Sequence, residues 1–222
     1  MRHRAAAVGL VLLAATTAGA ADLVVVEEWK AKIGAAAVPP EWTKQNWGSP
    51  KYEFRVAEHE GRPALHMKSA NEGSTISKDV KGKVNLAEMP VLEWSWKMVT
   101  LPRGANSCNK ATDDQAGQIF VVWPRFPEAV RSRIIGYVWD TTQPVGTICR
   151  SGKTGTVTYI VVRSGQAEVG KWVTERRNVA EDFKKVYEET ADNPAAVSVA
   201  IDSNDTGSTA EAYMGAIVFK KP

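Results

Sequence analysis

Apolar and polar residues alternate along most of this chain in short runs, broken by Gly, Pro, Asn and Asp at intervals too brief for helices. "VLEWSWKMV" (91–99) is the cleanest case. Leu92, Trp94, Trp96 and Met98 fall on one face and Glu93, Ser95 and Lys97 on the other, so the indoles are expected in a core. "YEFRVAEHEGRPALHMKS" reads as a hairpin that turns at Glu60-Gly61. "GQIFVVW", "RIIGYVW" and "TVTYIVVR" are apolar on both faces, which suits strands in the middle of a sheet. "LVVVEEW" opens the fold, and "AAVSVAID" with "EAYMGAIVF" closes it. Only "KWVTERRNVAEDFKKVYEE" carries a helical period, as a strand running into a short peripheral helix where Asp182, Phe183, Val186 and Tyr187 share a side. The pattern predicts an all-β sandwich with one short peripheral helix.

The first twenty residues break this pattern. Arg2 and Arg4 precede an apolar stretch over 8–15, and Ala18-Gly19-Ala20 fits a small-residue cleavage rule. The stretch is too short to span a bilayer. A secretory signal peptide is expected over 1–20, with a single β-sandwich domain over 21–222, exported to the periplasm or beyond. Of 28 basic and 25 acidic side chains, cleavage removes two arginines and leaves a charge near +1. That balance, with no basic patch interleaved with aromatics, argues against a nucleic-acid partner. No later segment reads as a membrane span. Oligomeric state is left open.

The two cysteines, Cys108 and Cys149, both fall in expected loops. In an oxidising compartment they predict a disulfide, the alternative being two unpaired thiols.

Candidate chemistry concentrates in three places. "VPPEWTKQNWGSP" presents Trp42 and Trp47 on a Pro/Gly-rich loop; either they plug the end of the core, or they stack on sugar rings. "TDDQAGQ" places Asp113 and Asp114 before a central strand. Adjacent on an extended backbone, they point apart, so each is either solvated or capping, or faces a partner such as Asp202 across a cleft. "DSNDTGSTAEAY" crowds Asp202, Asn204 and Asp205 beside Gly207. Its first positions imitate an EF-hand loop, but position 12 is Tyr213 and the flanks read as strands. A strand-connecting turn, a calcium site of another kind and a ligand contact remain open there. No cofactor is expected otherwise.

Other chemistries lack their motifs. His59 and His66 have no metal-ligand spacing and no evident catalytic partner. "RSGKTG" lacks the upstream glycine of a phosphate-binding loop. Arg163, Arg176 and Arg177 serve either as a clamp for an acidic sugar or as cross-strand ion pairs.

The order of elements is similar to that of secreted jelly-roll modules of the galactose-binding and carbohydrate-binding kind. More closely, the mature chain resembles a bacterial family catalogued as domain of unknown function 3047. "EWSWKM" with "LPRGAN", "DDQAGQIFVVW", "YVW" with "PVGT", "VVRSG", "WVTERRNVAEDF" and "DSNDTGSTAEAYMGAIVF" carry the likeness, in order across the chain. Two positions depart: Gln118 stands near a place where the family tends to have arginine, and Ala216 follows Gly215 where related modules carry an acid that helps hold calcium. The resemblance implies a jelly-roll sandwich and brings no activity with it. The expectation is an exported, non-enzymatic module that binds a saccharide or glycan through Trp42 or Trp47 and the Asp113, Asp114, Asp202, Asn204 and Asp205 loops. The alternatives are a hydrolase or lyase acting on polysaccharide, and an envelope protein-interaction or scaffolding domain.

Overall fold

Two sheets face each other across a core rich in tryptophan. The computed structural model describes residues 23–35 and 37–222; the expected leader lies outside them. One sheet has six strands. β11 (Val173–Asn178), β6 (Val91–Thr100), β13 (Thr209–Lys220), β4 (Arg62–Ala70) and β3 (Glu53–His59) run in that order, and β1 (Leu23–Glu27) pairs with the far half of β13. The other has seven, in the order β2 (Thr43–Lys44), β5 (Gly73–Asp79), β12 (Ala196–Asp202), β7 (Gly117–Trp123), β8 (Arg133–Asp140), β10 (Val157–Ser164) and β9 (Ile148–Arg150). All pairs are antiparallel except β8 with β10. The fold is a jelly-roll β-sandwich.

The alternation in β6 has the expected consequence. Leu92, Trp94, Trp96 and Met98 are all buried, and Trp96 packs edge-on against Trp94 and Trp139. Truncating one such indole would cost about 3–5 kcal/mol. The hairpin turns at Glu60 and Gly61, both with positive φ, the conformation a two-residue connection between twisted strands demands.

The peripheral helix is α2 (Val179–Tyr187), one nine-residue segment capped by the Asn178 side chain, which accepts from the Glu181 N–H. Phe183 is its buried anchor. A single further turn, α1 (Glu128–Arg131), and a three-residue 3₁₀ turn at Lys30–Lys32 complete the helical content of the described residues. The arginines of interest are engaged in ion pairs. Arg163 meets Glu168 and Glu175, Arg176 meets Glu93 across the β11–β6 ladder, and Arg177 meets Asp182. His66 likewise has a partner, Glu211 Oε1 at 2.7 Å, and stacks on Tyr213.

Cys108 and Cys149 form a disulfide, with Cα atoms 5.7 Å apart. It ties the loop after β6 to edge strand β9.

Candidate functional site

The inner face of the seven-stranded sheet belongs to the core, and its outer face carries a groove of about 800 Å³. Register places Ser77, Ser198, Phe120, Gly136 and Tyr159 in one row across five strands. Gly136 matters here: a Cβ at that position would stand 2.7 Å from Phe120 Cε1 and 3.0 Å from Tyr159 Cδ1. Its bare backbone lets both rings lie low over the sheet and form an aromatic floor. Val122, Ile134 and Val157 extend that floor, while Thr75, Ser77, Ser198 and Gln118 supply hydroxyl and amide groups. A mostly apolar surface with a few convergent polar groups is the usual make-up of a ligand site.

One end of the groove is acidic. Asp113 accepts from Gln115 Nε2 at 2.9 Å, Ser151 Oγ at 3.1 Å and the Tyr159 hydroxyl at 3.4 Å. Burial raises its carboxyl above the ordinary range despite those donors. Asp202 is pushed well above the ordinary range, first by burial and then by the negative charges of Asp114 and Asp113; the Gln115 N–H at 2.7 Å only partly offsets this. Burial and the same acids raise the Tyr159 phenol, so it stays protonated and able to donate. Lys153 has the opposite balance. Burial works against its charge, but the Asp205 carboxylate and the fields of Asp202 and Asp113 hold its ammonium above the ordinary range.

At the rim stands Trp47, 60% exposed. Gln45 holds that loop to the sheet: its Oε1 accepts from the Thr75 N–H at 2.6 Å, and its Nε2 donates to the Trp47 carbonyl at 2.8 Å. An exposed indole fixed on a short strand-edge loop offers a flat apolar face with a polar tip.

The 202–208 segment is a turn built on Asp114. That fully buried carboxylate accepts from the N–H groups of Asp205 and Thr206, at 3.0 and 2.7 Å, and from the Thr206 hydroxyl at 2.7 Å. The calcium reading does not fit these residues. Asp114 and Asp202 accept from N–H donors, and the Asp205 carboxylate is paired with the cationic Lys153. Among the described residues no group of three or more His, Cys, Asp or Glu side chains is arranged to hold a metal ion.

The expected site residues therefore divide. Trp47, Asp113, Asp202 and Asn204 line the groove together. Trp42 does not reach it and is corrected to a core plug: it is buried, stacks on Trp29 with centroids 5.4 Å apart, and donates its indole N–H to Glu27 Oε2 at 2.9 Å. Asp114 serves the turn rather than a ligand, and Asp205 is engaged by Lys153 beside the groove. Phe120, Tyr159, Gln118, Lys153 and Glu72 are also among the lining residues; Gln118 stood out in the sequence only as a departure from the family pattern and Lys153 only within "RSGKTG", and the others carried no motif. The one signal for the first two was the apolar outer face of "GQIFVVW" and "TVTYIVVR".

Residues 40–218 match the model of a family described as "Protein of unknown function (DUF3047)", and the chain belongs to that family. No curated protein matches it. Among solved structures, the family 11 carbohydrate-binding module of a cellulosomal cellulase of Clostridium thermocellum is similar with a TM-score of 0.47, at 7% identity, over 92% of this chain and 97% of that one. The same module in complex with a β-1,3-1,4-mixed-linked tetrasaccharide gives 0.47 at 8% identity, over 91% and 98%. A family 22 xylan-binding domain from Paenibacillus barcinonensis gives 0.38 at 12% identity, over 84% and 90%.

Proposed function

We propose that this member of the family is an exported, non-enzymatic module that binds a saccharide in the groove on the outer face of the seven-stranded sheet. The observation that carries the reading is that the Phe120 and Tyr159 rings, packed low over Gly136, line the same groove as exposed Trp47. Sugar rings present C–H faces that pack on such surfaces, and their hydroxyls match Gln118, Thr75, Ser77 and Asn204. The leader over 1–20, cut after Ala20 to release a domain over 21–222, delivers the chain to an oxidising compartment, and the Cys108–Cys149 bridge is in keeping with that destination.

The test is glycan-array binding of the protein expressed from its full coding sequence and purified after export, with calcium and again with EDTA. Binding of a saccharide that persists in EDTA is expected. Absence of any saccharide signal in both buffers removes the reading.

A second reading, a hydrolase or lyase on polysaccharide, has one observation in its favour. Asp113 and Asp202 both line the groove, and both carboxyls are raised, as a general acid requires. Release of reducing or unsaturated ends from an array-positive polysaccharide, lost in Asp202→Asn, is what this reading expects; binding without such release excludes it.

A further inference from the structure

The groove changes character from one end to the other. Register stacks its side chains in rows across the outer face of the sheet. Gly73 and Asp202 share one row, and Gln118 stands in the next. The row of Phe120, Gly136 and Tyr159 follows, and Val122, Ile134 and Val157 form the last, beside Ala196. Asp202 and Ala196 stand at opposite ends of β12, about 20 Å apart at the rise of an antiparallel strand.

Charge and hydrogen-bonding groups gather at the Asp202 end. Gln115 links two acids there, donating its N–H to Asp202 at 2.7 Å and its Nε2 to Asp113 at 2.9 Å. Lys153 joins them through its pairing with Asp205. Asn204 stands against Gly73, where a Cβ would lie 3.3 Å from its Oδ1. Gln45 Nε2, which donates to the Trp47 and Gly73 carbonyls at 2.8 and 3.4 Å, sets the loop of the exposed indole beside the same row.

The far end is aliphatic. Val122, Ile134 and Val157 are successive neighbours on β7, β8 and β10, and all three line the groove. Asp79, at the outer edge of their row, accepts from the Lys81 N–H and lies outside the groove. Three branched aliphatic side chains beside the Phe120 ring offer nothing to sugar hydroxyls, which would lose water there without replacement. A hydrocarbon chain carries no such penalty, and each methylene buried strengthens binding by up to about fourfold.

We infer that the groove takes a saccharide bearing a linear alkyl or acyl chain, with the sugar at the Trp47 and Asp202 end and the chain running over Phe120 onto Val122, Ile134 and Val157. The inference rests on the saccharide reading above and specifies its ligand.

Titration calorimetry of the protein expressed from its full coding sequence tests this with methyl, butyl, hexyl and octyl β-D-maltosides and β-D-glucosides, each below its micelle-forming concentration, and with octan-1-ol. In at least one series affinity is expected to rise about tenfold or more from methyl to hexyl. The octyl glycoside of that series should also bind at least about tenfold more tightly than octan-1-ol, because the sugar contributes its own contacts. Val122→Thr combined with Ile134→Thr keeps the branched shapes and adds hydroxyls. In a variant shown to be folded by thermal melting, the gain from methyl to hexyl should fall to about threefold or less. Trp47→Ala should weaken every member of the series and keep the gain. Equal affinity of the methyl and hexyl glycosides overturns the inference while leaving a saccharide groove in place, and a gain undiminished in the threonine variant overturns it by placing the chain elsewhere. Octan-1-ol binding as tightly as the octyl glycosides overturns it in favour of a site for apolar chains alone. Failure of every glycoside to bind also overturns it; the saccharide reading falls with it only when the full glycan array is silent too.

Discussion

The rings of Phe120 and Tyr159 lie with centroids 6.4 Å apart and planes inclined at 52°, and the strand position between them is Gly136. No side chain can occupy that position without displacing a ring. Gly136→Ala is expected to destabilise the protein by about 1–3 kcal/mol through overpacking and to weaken ligand binding by lifting the floor. Chemical denaturation and calorimetry on one preparation check both effects; a variant with unchanged stability and binding contradicts the geometry.

The turn over 202–208 depends on Asp114. Asp114→Ala leaves the N–H groups of Asp205 and Thr206 without their acceptor in a partly buried setting. A loss of about 2–4 kcal/mol is expected, since each orphaned donor carries its own desolvation cost. Asp205→Ala removes the ion pair with part-exposed Lys153 and the exposed hydrogen bond that Asn204 Nδ2 donates to Asp205 Oδ1, and should cost less than about 1 kcal/mol. Urea midpoints of the two variants, read side by side, decide the order.

Glu27 makes stability depend on acidity. Burial opposes its ionisation, but the Trp29 N–H, the Trp42 indole, Lys78 and Lys32 outweigh burial and hold its carboxyl at about 2. A carboxyl lowered on folding stabilises the protein fully above its unfolded value near 4.5. That contribution fades as pH falls from there towards 2. The shift corresponds to about 3 kcal/mol. Asp113 and Asp202, whose carboxyls are raised, act in the opposite sense and are common to both proteins, so the difference between wild type and Glu27→Gln isolates Glu27. That difference should shrink between pH 5 and pH 2 in denaturation curves; a constant difference contradicts the assignment.

The disulfide spans 41 residues and anchors the loop that carries Asp113 and Asp114. On the chain-entropy model such a bridge contributes roughly 4 kcal/mol. Cys108→Ser with Cys149→Ser is expected to lose most of that, as will reduction of the wild type, and both should be seen as equal shifts of the denaturation midpoint.

How far the sequence could be read depended on whether the deciding contact was local. The alternation in β6 placed Trp94 and Trp96 correctly, because strand period alone dictates the face. The doubly apolar β7, β8 and β10 were legible as central strands, yet of their outer residues Phe120, Val122 and Ile134 line a groove while Val138 and Val161 are buried in a small second cluster, a distinction that hydrophobicity does not encode. Trp42 and Trp47 share one Pro/Gly-rich stretch of sequence and the same local signals. What separates them is distant: Glu27 on β1 accepts the Trp42 indole N–H, and Trp29 stacks on it, so one indole is drawn inward while Gln45 pins the other at the rim. Asp113 and Asp114 have separate partners, Asp113 accepting from Ser151 and Tyr159 across the sheet and Asp114 from Asp205 and Thr206, and no local signal distinguishes the two. Lys153 sits in the "RSGKTG" turn, and only its ion pair to Asp205 shows that it belongs to the site.

The most direct measurement is the glycan-array profile of the wild type beside that of Trp47→Ala combined with Phe120→Ala, with thermal melting to show that the variant is folded. A saccharide bound by the wild type, with at least about a tenfold loss of signal in a folded variant, is the result expected of a groove whose aromatic surfaces hold the ligand. A saccharide signal undiminished in that variant would place the ligand elsewhere on the molecule and contradict the groove as its site.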